Sequence, residues 1–542
     1  MIPLTILRRF VSIIICAAIL SSCIFIFSGC EQEDGSNYGF SYSLTSEPRN
    51  LDPQVASDNN SLLVIKNTFE GLMRIDSEGE LINGVATEWT ANSDNTEYIF
   101  YLRKDAKWSD ETPVTAYDFQ FAWQRCVTPD THSTTCSSLF CVKNARAINE
   151  GTMDPSALGV TVIDAYTLKV TLEYPYAEFP LQTTLPQYMP CNQNFFSSTN
   201  GHYALDDVYL ISNGPFTFNE KSWSHDNYVR IIRNPYYVGE NAVAPRVIYL
   251  GIRKKSVDYF DLITNETVEA AAIESKNVSK LPDTEFQITT YTDKTWGLVF
   301  NTEKKALDNA TVRRAIISCL DTSDYELILP DNMNVAYDII PPATTINGQL
   351  YRELAGAGFK LKSDKINAPD LMTIGLNELG RKNLPSMTVI CPDDDKTVTM
   401  MQEMLSIWQQ ILKIYFNLEP LDYETLQNRV NIGDFQIALY ALQPSKDGPL
   451  SCLNLFSSAT YYNPGRLKDT AYDLLLESAS ASTTTESMLT PLVAAEKYLN
   501  ENAIFYPMYY ETRYYAALPG VSGLYFCPFD GTVDFTSAKY IE

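Results

Sequence analysis

The stretch TWGLVFNTEKKALDNATVRRAIISCL, residues 295–320, decides how the chain is read. Trp296, Leu298, Val299 and Phe300 make a short apolar and aromatic run, which suits a strand covered on both faces better than a solvated edge. A polar turn follows. Asp308 and Thr311 offer side-chain oxygens to the free N–H groups of a helix whose apolar residues Val312, Ala315, Ile316 and Cys319 recur at helical spacing. Weakly patterned strands and hairpins precede this unit, and alternating strands and helices follow it, so the stretch reads as a crossing between two lobes.

Working outward towards the C-terminus, residues 387–391 form a short apolar strand and 398–412 a helix with Met401, Leu405, Trp408 and Leu412 inward. A strand at 414–418, a helix at 423–430 and a strand at 435–442 complete an alternation typical of a doubly wound parallel sheet. Ligands of such sheets bind beyond the carboxyl ends of the strands. Here that end runs into YALQPSKDGPLSCLNLF, residues 440–456. IFYPMYY at 504–510 and RYY at 513–515 make an aromatic strand returning towards the first lobe, so two crossings join the lobes.

Towards the N-terminus, the reading is a strand at 38–44, a proline-marked turn EPRNLDP at 47–53, and short strands around 68–74, 84–89 and 98–103. Residues 115–126 form a helix capped by Thr115, with Phe119, Ala122, Trp123 and Cys126 on one face. Residues 158–173 hold a hairpin around Asp164, and the pattern between 249 and 287 is weak. At the very start, Arg8-Arg9 precedes a largely apolar run, residues 10–27, and then Ser28-Gly29-Cys30, which is the order of an export signal.

A formal net charge of -25 repels nucleic acid and anionic membrane faces. Catalytic equipment is sparse. The three histidines, His132, His202 and His225, stand in polar loop-like contexts, without a zinc-protease spacing, a nucleophile elbow or a phosphate loop in the sequence. Asp393-Asp394-Asp395 lacks the remaining calcium-ligand spacing and reads as a solvated turn. Of 11 cysteines, Cys126, Cys136, Cys141 and Cys191 form the densest group; their spacing fits one or two disulfides, or buried free thiols, better than a metal site.

Several strings resemble one family. EPRNLDP, WSDETPVTA at 108–116 (Glu111 standing where a glycine is usual), NGPFTF at 213–218, RNPYY at 233–237, and VFN followed by VRRAI are similar to motifs of the family 5 extracellular solute-binding proteins that serve oligopeptide and dipeptide ABC transporters. FSGC at 27–30 resembles a bacterial lipobox, whose cysteine, here Cys30, would be lipidated and bind the membrane at ~0.8 kcal/mol per buried CH₂.

The resemblance implies an α/β, periplasmic-binding-protein-like two-lobed fold with a hinge and an additional domain. Residues 1–29 would be a lipoprotein signal peptide and 30–37 a tether. Segments 38–68, 206–296 and 516–542 would build a discontinuous first lobe, 69–205 an additional domain packed on it, and 297–515 the second lobe. The implied partners are an oligopeptide ligand, the permease and ATPase of an ABC transporter, and the cell membrane through the lipid anchor. The protein would be a monomer, without cofactor, metal or catalytic residues.

The implied ligand-binding residues are Ser57, Asp58 and Asn59 after the EPRNLDP turn, Trp296 and Asn301 at the crossing, and Leu442, Gln443, Ser445 and Asp447 in the loop after 435–442. Anchored on Pro449 and Leu453-Asn454, Leu442 takes the family's tryptophan position and Ser445 the aspartate that pairs with a peptide's α-ammonium; Asp447 is the replacement. That departure keeps a second reading open, the same fold binding an oligosaccharide, a metal complex or a modified amino compound. A third is a secreted hydrolase using Asp447 or Glu424.

Overall fold

The computed structural model describes residues 38–76, 79–239, 243–254, 257–282, 286–329, 332–346, 348–442, 444, 447–460, 462–482 and 484–540. The apolar run of the opening stretch is the inner end of a strand 14 residues long, Gln287–Phe300, and the aromatic run near the C-terminus lies in one of 13, Phe505–Ala517. The two pair antiparallel along almost their whole length. Period-2 alternation sends Trp296, Leu298 and Phe300 into one apolar core and Val299 into another, which is why the run is hydrophobic without interruption.

Two register shifts interrupt this ribbon, between Thr292 and Lys294 and between Trp296 and Gly297. Asp293 is the extra residue of the first bulge and Met508 of the second; Pro507, which has no N–H to give a ladder, sits beside the latter. Bulges bend a strand and increase its twist. The outer end of Phe505–Ala517 also pairs with Ala270–Ile273 and its middle with the short Met333–Val335, while the inner end of Gln287–Phe300 pairs with Ile437–Leu442. Beyond these, Met387–Pro392 runs parallel to both Ile437–Leu442 and Phe416–Leu421, as the alternating pattern predicts.

The helix after the first crossing spans Ala310–Ser318 and is capped by Asn309, whose Oδ1 accepts from Val312 N at 3.0 Å, rather than by Asp308 or Thr311. Arg313 fixes this choice: its buried guanidinium donates to the carbonyls of Leu307, Asn502 and Ala503 and pins the helix start to the second crossing. In the helix Asp395–Leu412 the acidic run has a local use, because Asp394 accepts from Thr397 N at 2.9 Å as the cap. Trp408 is buried in the same core and donates to Ile316 O at 2.9 Å.

In the N-terminal half, Gly39–Leu44 pairs parallel with Val247–Ile252 in a five-stranded sheet that also holds Tyr228–Arg233, Trp223–Ser224 and Phe216–Thr217. A separate four-stranded antiparallel sheet contains Ala86–Ala91, Glu97–Leu102, Thr167–Thr171 and Val160–Asp164. Its last two strands are the expected hairpin, turned at Asp164, which accepts from Tyr166 N at 2.8 Å. The helix Ala116–Val127 buries Phe119, Ala122, Trp123 and Cys126. The weakly patterned region contains the helix Tyr259–Thr264 and the strand Ala270–Ile273, which form a small satellite core with Ala516.

All eight cysteines among the described residues are free thiols, and seven are buried. Of the two alternatives for the 126–191 group, the structure has the thiols: Cys141 Sγ lies 3.4 Å from Tyr188 Oη, and burial pushes Cys126 and Cys191 up to about 12. No helix among the described residues is long and apolar enough to cross a membrane.

Candidate ligand cleft

Two adjoining cavities of about 650 and 270 Å³ open between the sheets and share Lys66, Leu185 and Asp530. One wall grows from the helix Asn59–Thr68. Asp58 starts it, accepting from Ser61 N at 2.9 Å and Ser61 Oγ at 2.7 Å, and the last turn presents Lys66. Lys66 pairs with Asp530, whose carboxylate is held by Thr532 N and Oγ1 at 2.8 and 2.7 Å. Burial alone would lower the Lys66 ammonium, but Asp530 outweighs it and holds the group above the usual lysine range.

The opposite wall is built around the loop after Ile437–Leu442. Asp447 accepts from Thr345 N at 2.8 Å, from Thr345 Oγ1 and from Gly448 N at 2.6 Å. The carboxylate thereby fixes the segment 343–346, which lines the larger cavity with it. Gly448 has φ +102°, a conformation that a side chain would strain. Trp89, Glu178 and Tyr525 contribute further polar and aromatic surface to the larger cavity, and Gln427, Tyr440 and Tyr462 to the smaller one. Aromatic rings, hydroxyls and carboxylates around a space this large suit an amphipathic guest.

The residues expected from sequence are distributed unevenly. Ser57 and Asn59 line the smaller cavity and Asp447 the larger, while Asp58 serves as the helix cap behind them. Trp296, Asn301 and Leu442 are not among the lining residues. Trp296 donates to Glu511 at 2.7 Å and stacks on Tyr509; Asn301 donates to the carbonyls of Gly433 and Phe435 at 3.1 and 3.0 Å; Leu442 is fully buried in the second apolar core. Gln443, Ser445 and Cys30 lie outside the described residues. Glu424 is exposed and pairs with Arg49 at 2.7 Å.

Sequence reading missed Lys66, Trp89, Glu178, Tyr525 and Asp530. Lys66 had a signal, being the one basic residue on the helix that directly follows EPRNLDP. Asp530 had none, since its partner is 464 positions away. Among the described residues no group of three or more His, Cys, Asp or Glu side chains converges as metal ligands would.

Comparison with known proteins gives the same reading of the architecture. The family model for bacterial extracellular solute-binding proteins, family 5 middle, matches residues 80–464. The periplasmic murein peptide-binding protein MppA of Escherichia coli is 28% identical over 526 residues, covering 94% of this chain and 95% of that protein. The oligopeptide-binding protein OppA of Bacillus subtilis is 25% identical over 550 residues, covering 96% and 97%. Haemophilus influenzae OppA in complex with the peptide RPPGFSPFR superposes with a TM-score of 0.77 at 23% identity, covering 94% of this chain and 100% of that one. The match covers the first crossing strand, the helix after it and the loop that carries Asp447, and the chain belongs to the family 5 bacterial extracellular solute-binding proteins.

Proposed function

We propose that this protein is an extracytoplasmic receptor that takes a peptide into the cleft between its lobes and delivers it, chemically unaltered, to an ABC transporter permease driven by its ATPase. The observation that carries this reading is the pair of joined cavities between sheets connected by two bulged strands, in a chain whose relatives include named peptide-binding proteins. An extended peptide would satisfy its main-chain groups along the walls while its side chains enter roomy, partly wet space, so affinity is spread over sequence-independent hydrogen bonds.

The domain boundaries read from sequence belong to this proposal, supported by the separation of the five-, four- and seven-stranded sheets. So do the lipid anchor at Cys30 and the monomeric state. Mass spectrometry of material released from the purified protein by denaturation tests the ligand class: bound peptides are expected. Calorimetry with a mixed peptide library that records no heat of binding, together with a non-peptide solute in the released material, would reject peptide as the cargo.

A further inference from the structure

The first bulge of the strand ribbon carries a carboxylate where an apolar residue would be expected. Asp293 is the extra residue, its side chain is fully buried, and its neighbours across the ribbon are Thr512 and Glu511. A buried charge is retained only when paired and hydrogen-bonded. Asp293 accepts from Arg513 Nε at 2.9 Å, from Arg513 Nη2, and from the main-chain N–H of Phe529 at 2.7 Å.

Phe529 lies within the 527–532 loop, whose Cys527, Pro528 and Asp530 line the larger cavity. It has φ +70°, and Gly531, at φ +71°, leaves room for Arg513 Nη1 where a Cβ would stand. The loop is closed on itself by Cys527 N to Thr532 O at 2.8 Å and Gly531 N to Cys527 O at 3.1 Å. Between them sits Asp530, the partner of Lys66. On the other side of the same bulge, Thr292 O accepts from Ala343 N at 3.0 Å, the start of the segment that Asp447 holds through Thr345. The bulge therefore holds, through one main-chain N–H each, a segment of both cleft walls.

We propose that Asp293 is a positioning residue that couples the bend of the crossing strands to the Lys66–Asp530 wall of the cleft. Any change of strand angle at the bulge moves Asp293 and Arg513 together, and with them the Phe529 N–H and the Asp530 carboxylate. Occupancy at Lys66 and Asp530 in turn favours one bend over others, because a ligand stabilises the state in which its contacts are made. The ligand side of this inference rests on the function proposed above; the coupling itself does not.

Asp293→Asn, which keeps the size and loses the charge, tests both parts, with Arg513→Lys as a second variant that retains a cation opposite the carboxylate. In the ligand-free protein, amide exchange at Phe529, Gly531 and Thr532 is expected to quicken about tenfold for Asp293→Asn, and less for Arg513→Lys, with the helix Ala116–Val127 unchanged. Affinity for an equimolar tripeptide-to-pentapeptide library is expected to fall about tenfold in the parent background and no further when Lys66→Met is already present. Unchanged exchange at 529–532, a uniform rise over the whole protein, or strictly additive losses with Lys66→Met would overturn the coupling. A parent protein that binds no peptide refutes the proposed function instead, and the exchange measurement still decides this inference.

Discussion

Arg49 and Glu424 form an ion pair of 2.7 Å between the EPRNLDP turn on one side of the cleft and the helix Tyr423–Ile432 on the other. The same helix lines the smaller cavity through Gln427, so the pair stands near its rim. Opening the lobes separates these two side chains, and their attraction adds to the closed state alone. Both are 70% exposed, which places the pair among surface ion pairs worth about 0.5 kcal/mol and rarely above 1. Because only the closed arrangement embraces cargo, the loss passes directly into affinity: Arg49→Gln is expected to weaken binding about twofold and Arg49→Glu, which adds repulsion, about fivefold. The exchanged pair Arg49→Glu with Glu424→Arg is expected to recover the parent value to within about twofold. Titration calorimetry at low and high salt with one peptide, or with the released native cargo, reads this out, and the differences should vanish at high salt. A loss beyond tenfold for Arg49→Gln, or one that persists in high salt, would refute the argument that a solvated pair merely trims the balance between open and closed.

Three further outcomes follow from buried chemistry. Lys360 donates to Tyr325 Oη and Ala336 O at 2.7 and 2.8 Å, and burial pushes its ammonium down to about 7. The unfolded chain keeps that proton up to a pH of about 10, so stability should rise as pH climbs from about 7 to about 10, by at most about 4 kcal/mol, since the faces of Tyr325, Tyr337 and Tyr506 return part of the cost. Lys360→Met should flatten this profile in urea unfolding; parallel curves for parent and variant would contradict it. Glu496→Gln removes the charge facing Arg352 at 2.8 Å in a fully buried position and should cost about 3 kcal/mol by the same assay, with a loss under about 0.5 sinking the estimate. Gly297→Ala would place a Cβ 2.3 Å from Tyr506 O, a main-chain atom that cannot swing aside, and should destabilise by about 2 kcal/mol; a wild-type unfolding midpoint would mean that the second bulge yields freely.

The fold was legible wherever burial left a local trace. Trp296 to Phe300 announced a strand covered on both faces because each face meets its own apolar core. The outer part of that strand, from Gln287, carried no such trace, since Thr289, Tyr291 and Thr292 are only half buried, Thr290 is exposed, and its partner near Ala517 comes from the end of the chain. The cap of the following helix was off by one residue, because Asp308, Asn309 and Thr311 all bring suitable oxygens and the long-range anchor of Arg313 decides among them. Of the residues that line the cavities, Ser57, Asn59 and Asp447 could be placed by short strings that resemble the family's, whereas the Lys66–Asp530 pair depends on tertiary structure alone. The family resemblance implied a ligand contact for Trp296, whereas the burial read from its own run is what the structure has: Glu511 on the other crossing strand satisfies its N–H and the ring packs in the apolar core.

The unpaired sulfur atoms have a practical corollary. Among the described residues no sulfur–sulfur bond ties one part of the chain to another, so neither maturation nor mechanical freedom waits on an oxidant. Material made in a reducing cytoplasm and material made after export should melt at the same temperature, with or without dithiothreitol. For the described part of the fold, supply is thereby uncoupled from the thiol chemistry of its surroundings.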